Sequence, residues 1–305
     1  MKKITFCFIL LFISCPALFA QTPSWVVNEN DYQHTMTFVA KLNVNGKQLI
    51  NTNDKVAAFV GNVCRGVSGV TYVANEKTYY AFLTVFSNTQ GESITFKLHE
   101  SSTNKITTVS KQTIFRVNEH KGNQFQSYSI AEPRLNDKAE VLSFNFMDIK
   151  SLSSSITGSA INVSIFDSYS LTNLKPVFTL SMGANLYKNR IQQTTGNFTE
   201  NFSSAIVYEV LSEDESTLSN YKINVSQVID LTLFYKKDAV CYARGAIKIV
   251  SKREGTTAQI TSNGKTVSSK QITNGEALFP NLDAGSYIAT LGTQSKNITI
   301  LLKEK

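Results

Sequence analysis

A two-residue hydrophobic period, broken at intervals by turn residues, constrains this chain more than any other feature. Met36-Thr37-Phe38-Val39-Ala40-Lys41-Leu42-Asn43-Val44 places Met36, Phe38, Ala40, Leu42 and Val44 two apart, and the run ends at Asn45-Gly46. Successive side chains of a strand point to opposite faces, so this spacing gives a ribbon with one buried side. Lys55 to Val60, Tyr79 to Phe86 and Ser93 to Leu98 repeat the theme, with Gly61-Asn62 and Gln90-Gly91 between them. Asn-Gly and related pairs tolerate the positive φ of tight hairpin turns. No stretch carries a 3.6-residue apolar stripe long enough for a core helix. The predicted fold class is therefore all-β. At about 150 residues per domain, 305 residues make two domains, or three if they are small sandwiches.

Composition narrows the class. Aromatic residues make up 10% of the chain, too many for a disordered segment that could not bury them. Charged residues are only 17%, against roughly 25% in an average soluble domain. Five Pro and 15 Gly without a period exclude collagen-like and low-complexity chains. With three His and four Cys there is little material for a metal centre, and no cofactor is expected.

The first twenty residues read as an address. Met1-Lys2-Lys3 precedes an apolar run from Ile4 to Ile13, then Pro16-Ala17-Leu18-Phe19-Ala20 before polar Gln21. A basic tip, a short apolar stretch and a small residue at a polar break describe a secretory signal peptide, here cleaved after Ala20. The run is shorter than the ~20 residues that span a bilayer, and no later segment reaches that length. The rival is a lipoprotein acylated on Cys15. It is weaker, because Phe12 stands where a Leu-like residue is usual and Cys15 is followed by Pro16. Export to the cell surface or medium is expected, with the periplasm as the other compartment. Cleavage would leave Cys64 and Cys241, too few for a disulfide scaffold, so both are expected as small buried apolar residues.

Three tandem antiparallel β-sandwich modules are expected after residues 1–20. The first spans 21–132. The polar stretch Glu132-Pro133-Arg134-Leu135-Asn136-Asp137-Lys138 reads as a linker, so the second spans 133–229 and the third 230–305. The three contain 10 basic and 8 acidic, 7 and 9, and 11 and 6 residues, so the positive balance sits in the last. Glu213-Asp214-Glu215 precedes a strand-like run without an Asp-x-Asp-x-Asp-Gly loop, and is expected as a solvated hairpin tip rather than a calcium site.

Specific residues carry resemblances. Ile156-Thr157-Gly158-Ser159-Ala160-Ile161-Asn162-Val163, Leu171-Thr172-Asn173-Leu174-Lys175-Pro176, Thr179-Leu180-Ser181-Met182-Gly183-Ala184 and Tyr221-Lys222-Ile223-Asn224-Val225 resemble, in that order, the Ig-like or cadherin-like sandwich repeats of secreted bacterial surface proteins. Tyr221, Ile223 and Val225 would face one way, Lys222 and Asn224 the other. Asn274-Gly275-Glu276-Ala277-Leu278-Phe279-Pro280-Asn281-Leu282-Asp283-Ala284-Gly285-Ser286-Tyr287 is similar to the core of carboxypeptidase-regulatory-like and collagen-adhesin B-type domains, which are prealbumin-like sandwiches. That resemblance implies Phe279 and Leu282 in the core, a turn at Gly285 and a strand opening at Tyr287. Some adhesin relatives join a Lys to an Asn through an isopeptide bond. Lys248 and Asn297 lie in plausible places, but Ile288-Ala289-Thr290 stands where the catalytic acid belongs, so no cross-link is expected.

Catalytic patterns are missing from the sequence. Val63-Cys64-Arg65-Gly66 resembles a caspase nucleophile motif, with His34 or His99 as conceivable bases, but its β context and lack of an activating neighbour favour a core thiol. Gly66-Val67-Ser68-Gly69-Val70 fails the nucleophile-elbow pattern at Val70. There is no His-Glu-x-x-His, Cys-x-x-Cys or phosphate-binding glycine loop. No enzyme activity is expected, and no nucleic-acid partner, since basic-aromatic interleaving and a recognition helix are both lacking. A non-enzymatic exported protein for adhesion, binding or assembly at the bacterial surface is the leading expectation. The partner would be a cell-envelope protein or a polysaccharide. The alternative is an accessory carbohydrate-binding protein. Trp25, Tyr32, Tyr72, Tyr79 and Tyr80 gather rings in the first module, and of these Trp25 and Tyr32 are the candidate ligand-binding residues.

Overall fold

The computed structural model describes residues 23–304. The expected leader Met1–Ala20, with Cys15, lies outside the described residues. The regular secondary structure of the described residues is all strand, apart from two three-residue 3-10 turns at Glu29–Asp31 and Leu171–Asn173. No helix among them is long and apolar enough to cross a membrane. In chain order the strands begin with β1 (His34–Val44), β2 (Lys47–Gln48), β3 (Lys55–Val60), β4 (Val63–Val73) and β5 (Thr78–Ser87). β6 (Ser93–Glu100), β7 (Lys105–Ile114), β8 (His120–Lys121) and β9 (Tyr128–Glu132) follow. Next come β10 (Val141–Phe146), β11 (Ser153–Thr157), β12 (Ala160–Phe166), β13 (Pro176–Leu180), β14 (Asn185–Lys188), β15 (Ile191–Gln193), β16 (Ile206–Leu211) and β17 (Leu218–Val228). The last are β18 (Thr232–Lys237), β19 (Ala239–Val240), β20 (Gly245–Ser251), β21 (Thr257–Ser262), β22 (Lys265–Gln271), β23 (Glu276–Leu282), β24 (Gly285–Leu291), β25 (Gln294–Ile300) and β26 (Leu302–Lys303).

The chain divides into two compact units. One comprises the residues up to Glu140 with Ser181–Asn185 and Leu211–Ser219; the other comprises Val141–Leu180, Leu186–Val210 and Asn220–Lys305.

In the first unit the strand order is β2-β1-β5-β4-β3-β6-β7, with β8 and β9 pairing parallel to β1. The inward row of β1, namely Met36, Phe38, Ala40 and Leu42, meets Leu83 and Val85 of β5 and Ile94, Phe96 and Leu98 of β6 in one core. Each buried Met, Phe, Leu, Ile or Val side chain among them contributes about 1.5–3 kcal/mol, so the two-residue period itself drives this layer arrangement. β4 carries the chain between layers: its first part, to Gly69, pairs with β3, and Val70–Val73 pairs with β5. That crossing needs Gly66, because a Cβ there would stand 2.1 Å from the Thr84 carbonyl oxygen.

The second unit holds a six-stranded sheet ordered β11-β12-β17-β16-β14-β15 and the pair β10-β13. Phe144, Phe146, Phe202 and Tyr208 stack edge-on or tilted among them, with Phe146 and Phe202 5.1 Å apart. Tyr221 and Ile223 are buried while Lys222 is exposed, as the alternation predicts. Further along, the sheets β18-β20-β23 and β22-β21-β24-β25 enclose Ile247, Ile249, Ile260, Phe279, Leu282 and Leu291. Phe279 and Leu282 fill this core, and Tyr287 lies in β24 with its hydroxyl donating to the Asp283 carbonyl at 2.9 Å.

Three expectations need correction. Pairing is mostly antiparallel, but β1–β9 and β12–β17 run parallel over five and seven residue pairs, a long-range choice that local alternation does not encode. Cys64 is half-buried while Cys241 is exposed, so only one thiol has the sheltered position expected of both. Glu213-Asp214-Glu215 is not a solvated tip. Glu213 accepts from the Asn136 N–H at 2.8 Å; Asp214 is buried and accepts from the hydroxyls of Ser212 and Ser216; Glu215 pairs with Lys41 and accepts from Ser127. Each carboxylate is turned inward because a donor waits there for it.

Candidate functional site

The two rings singled out by the sequence occupy different places. Trp25 is half-buried, edge-on to Phe59 at 6.1 Å and to His99 at 6.4 Å. His99 is itself buried, with Nε2 2.7 Å from Asn104 Oδ1, while the Cys64 thiol donates to the Gly66 carbonyl at 3.7 Å. Burial raises the Cys64 pKa above its ordinary value, the opposite of what a thiolate nucleophile requires. Tyr32 lies elsewhere, tilted 33° to Phe86 at a centroid distance of 6.5 Å, with the Arg65 guanidinium 4.6 Å over its ring. The segment leading to Tyr32 is held by Asn88, whose amide donates to the Asp31 carbonyl and whose oxygen accepts from the Gln33 N–H.

Tyr32 belongs to a strip of rings on the outer face of β5. Leu83 and Val85 turn into the core, so Phe82 and Phe86 turn out. Phe82 is 47% exposed, opposite Val39 of β1. Tyr80, at the far end of the strip, is covered: its hydroxyl donates to the Gln124 carbonyl at 2.6 Å. A second exposed ring, Tyr72, pairs across β4 and β5 with Tyr79 at 5.1 Å. Gln48 donates to the Tyr79 carbonyl beside them, placing an amide next to two rings. The sequence contains all of these rings, but only the strand register tells which of them turn outward.

Also in the first unit is a polar groove of about 520 Å³ around Tyr128, bordered by Lys111, His120, Lys121, Gln126 and Glu215. Its ring is not free for stacking. One side meets Phe38 and Phe96, and Lys111 Nζ sits 4.3 Å over the ring. Burial lowers the Lys111 pKa and raises that of Tyr128. The second unit holds a larger groove of about 900 Å³, lined mainly by aliphatic side chains including Leu152, Val228, Ile229, Leu231 and Leu233. Among the described residues there is no group of three or more His, Cys, Asp or Glu placed to hold a metal ion. Lys248 pairs with Glu276 at 3.2 Å on β20 and β23, whereas Asn297 lies on β25 in the other sheet.

What these surfaces offer is ring faces beside amide and hydroxyl groups. Such a combination buries the apolar faces of a sugar while its hydroxyls keep hydrogen-bond partners.

Residues 141–225 match the family model described as SGBP, N-terminal. No curated protein matches the chain. Among solved structures, a provisionally assigned glycoside hydrolase from Bacteroides thetaiotaomicron is 14% identical, over 54% of this chain and 82% of that one, with a TM-score of 0.28. The FN1–FN3 domains of chicken CNTN1 are 10% identical over 83% of this chain and 91% of that one, TM-score 0.27. Extracellular domains 3–5 of Drosophila OTK are 11% identical over 90% and 98%, TM-score 0.20.

Proposed function

We propose that this chain is an exported, non-enzymatic glycan-binding protein of a bacterial surface, built from tandem β-sandwich modules. The observation that carries the reading is the match of residues 141–225 to the SGBP N-terminal family, whose members are glycan-binding and surface-associated. It supports the carbohydrate-binding alternative within the expected role in adhesion, binding or assembly. The partner is a polysaccharide rather than an envelope protein or nucleic acid. Binding uses the outward ring strip Tyr32, Phe86 and Phe82, where a sugar ring stacks on the exposed Phe82 beside the half-buried Phe86 and Tyr32, and the Arg65 side chain holds Tyr32 in place. Trp25 serves chiefly as packing against Phe59.

A glycan array probed with the full chain tests this reading. Binding to at least one polysaccharide class is expected, and Phe82→Ala should weaken it about tenfold with an unchanged melting temperature, since a stacked ring contributes about 1–1.5 kcal/mol beyond area burial. An array without signal, or turnover of the bound glycan, contradicts it.

A further inference from the structure

The outer face of the four-stranded sheet β22-β21-β24-β25 carries no charge. Strand register fixes which side chains share that face. Thr257, Gln259 and Thr261 of β21 alternate with buried Ala258 and Ile260. Across one edge they meet Gln271, Ser269 and Thr266 of β22. On the other side Gln259 and Thr261 meet Thr290 and Ile288 of β24. Those two, with Ser286, meet Ser295, Asn297 and Thr299 of β25. Every one of these positions is Ser, Thr, Asn or Gln except Ile288, which is 45% exposed.

This neutrality is not a matter of composition, because residues 230–305 contain 11 basic and 6 acidic side chains. The lysines of the two edge strands fall on the opposite parity. Lys265 and Lys270 pair with Ser262 and Ala258, and Lys296 with Ala289, all on the inward side of the register. The other sheet of the same sandwich is different: it bears the Lys248–Glu276 pair beside Tyr235, and Leu278 is exposed on it. A groove of about 340 Å³ opens at the end of the neutral face beside the turn Asn263-Gly264; Thr261, Ser286, Ile288, Asn297 and Thr299 of that face line it together with Ser262, Tyr287 and Ile298 of the inward parity.

We infer that this face is a second contact surface for glycan and that it takes a neutral polysaccharide chain. The inference rests on the proposed glycan-binding role. Ser, Thr, Asn and Gln side chains both donate and accept, as sugar hydroxyls do, and strands about 4.8 Å apart repeat such groups in a flat array. The charge balance selects the occupant. An acidic polysaccharide or nucleic acid finds no cation within the face, since the exposed lysines of the edge strands stand on the opposite parity. A protein partner finds no exposed aromatic or Arg anchor: Tyr287 is buried, and Ile288 and Val267 are the exposed large apolar side chains of these strands. A neutral glycan loses no ionic hydration here and can rest the C–H face of a sugar on Ile288.

Affinity electrophoresis of the full chain in gels containing galactomannan, xyloglucan or mixed-linkage β-glucan, with alginate and polygalacturonate as acidic counterparts, tests this at low and high salt. Retardation by a neutral polysaccharide, unaltered by salt, is expected. Ile288→Lys and Asn297→Asp should each weaken it about tenfold, as charges buried without partners do, while Leu278→Lys on the other sheet leaves it unchanged. Melting curves of all three variants should match the parent's. Neutral-glycan binding that is equal in Ile288→Lys, Asn297→Asp and the parent overturns this surface while leaving the proposed function standing. Retardation only by the acidic polymers overturns the neutral assignment, and absence of retardation by any polymer overturns both.

Discussion

Trp25→Ala separates packing from binding at one of the two rings singled out by the sequence. A packed Trp buries about 150–250 Å², and Trp25 is half-covered, so close to 100 Å² is lost. At about 25 cal/mol per Å² that is ~2.5 kcal/mol. The edge-on contacts to Phe59 at 6.1 Å and His99 at 6.4 Å lie toward the long end of the aromatic range and add at most about 0.5 kcal/mol. For a unit of this size about 3 °C is lost per kcal/mol, so the melting transition of the first unit should fall by roughly 8 °C. Trp25→Phe should recover most of it, because a smaller ring can still meet Phe59. Scanning calorimetry of the full chain reads the shift directly. A change below about 2 °C would refute the packing argument and leave Trp25 free to act as a ligand platform.

Other consequences are equally specific. Asp54 is buried and accepts from the Asn51 N–H, the Ser101 N–H and the Ser101 hydroxyl, so Asp54→Ala should cost about 2–3 kcal/mol in urea unfolding by orphaning those donors. Gly122 has φ +78° and a Cβ there would stand 2.4 Å from the Val39 carbonyl oxygen, so Gly122→Ala should lower soluble yield and stability by at least ~2 kcal/mol. Cys241 should react with iodoacetamide well before Cys64 at mildly alkaline pH, since one thiol is exposed and burial raises the pKa of the other; equal rates would contradict the placement. Asp238 is held down to about 2 by the Lys236 hydrogen bond first and the Leu301 N–H second. Its stabilising effect is complete above the ordinary carboxylate range near ~4 and disappears as pH falls through about 2, so the protection of the Leu301 amide, taken relative to intrinsic exchange at each pH, should fall across that window and stay constant there in Asp238→Asn.

Strand positions were readable because burial enforces alternation. Lys55–Val60 is strand β3 residue for residue, and Ser93–Leu98 falls short of β6 only by His99 and Glu100. Val141-Leu142-Ser143-Phe144 opens β10, and Leu231-Thr232-Leu233-Phe234 begins one residue before β18. Partnership was less legible. Nothing local in Tyr128–Glu132 says that it lies parallel to β1, nor in Leu218–Val228 that it lies beside β12. The stretch read as a linker is tied down, since Asn136 bonds Glu213 and the Met182 carbonyl. Those partners are more than forty residues away, beyond the reach of composition.

The candidate surfaces followed the same division. Tyr32 was legible as a ring in an aromatic-rich segment, yet its neighbour Phe86 and the open Phe82 emerge only from which side of β5 faces the core. The neutral face of β21, β22, β24 and β25 is written in the sequence as alternating Thr, Ser, Gln and Asn, but local pattern gives no register between strands. Without register the lysines of β22 and β25 look interspersed with it rather than set on the other side.

The central claim is that the chain holds a glycan and leaves it intact. The most direct test incubates the full chain with the oligosaccharide form of whichever polysaccharide retards it, separates bound from free, and weighs both pools by mass spectrometry. Saturable retention with every recovered oligosaccharide at its starting mass is the predicted result. Shortened products, or no retention at any protein concentration, would contradict it.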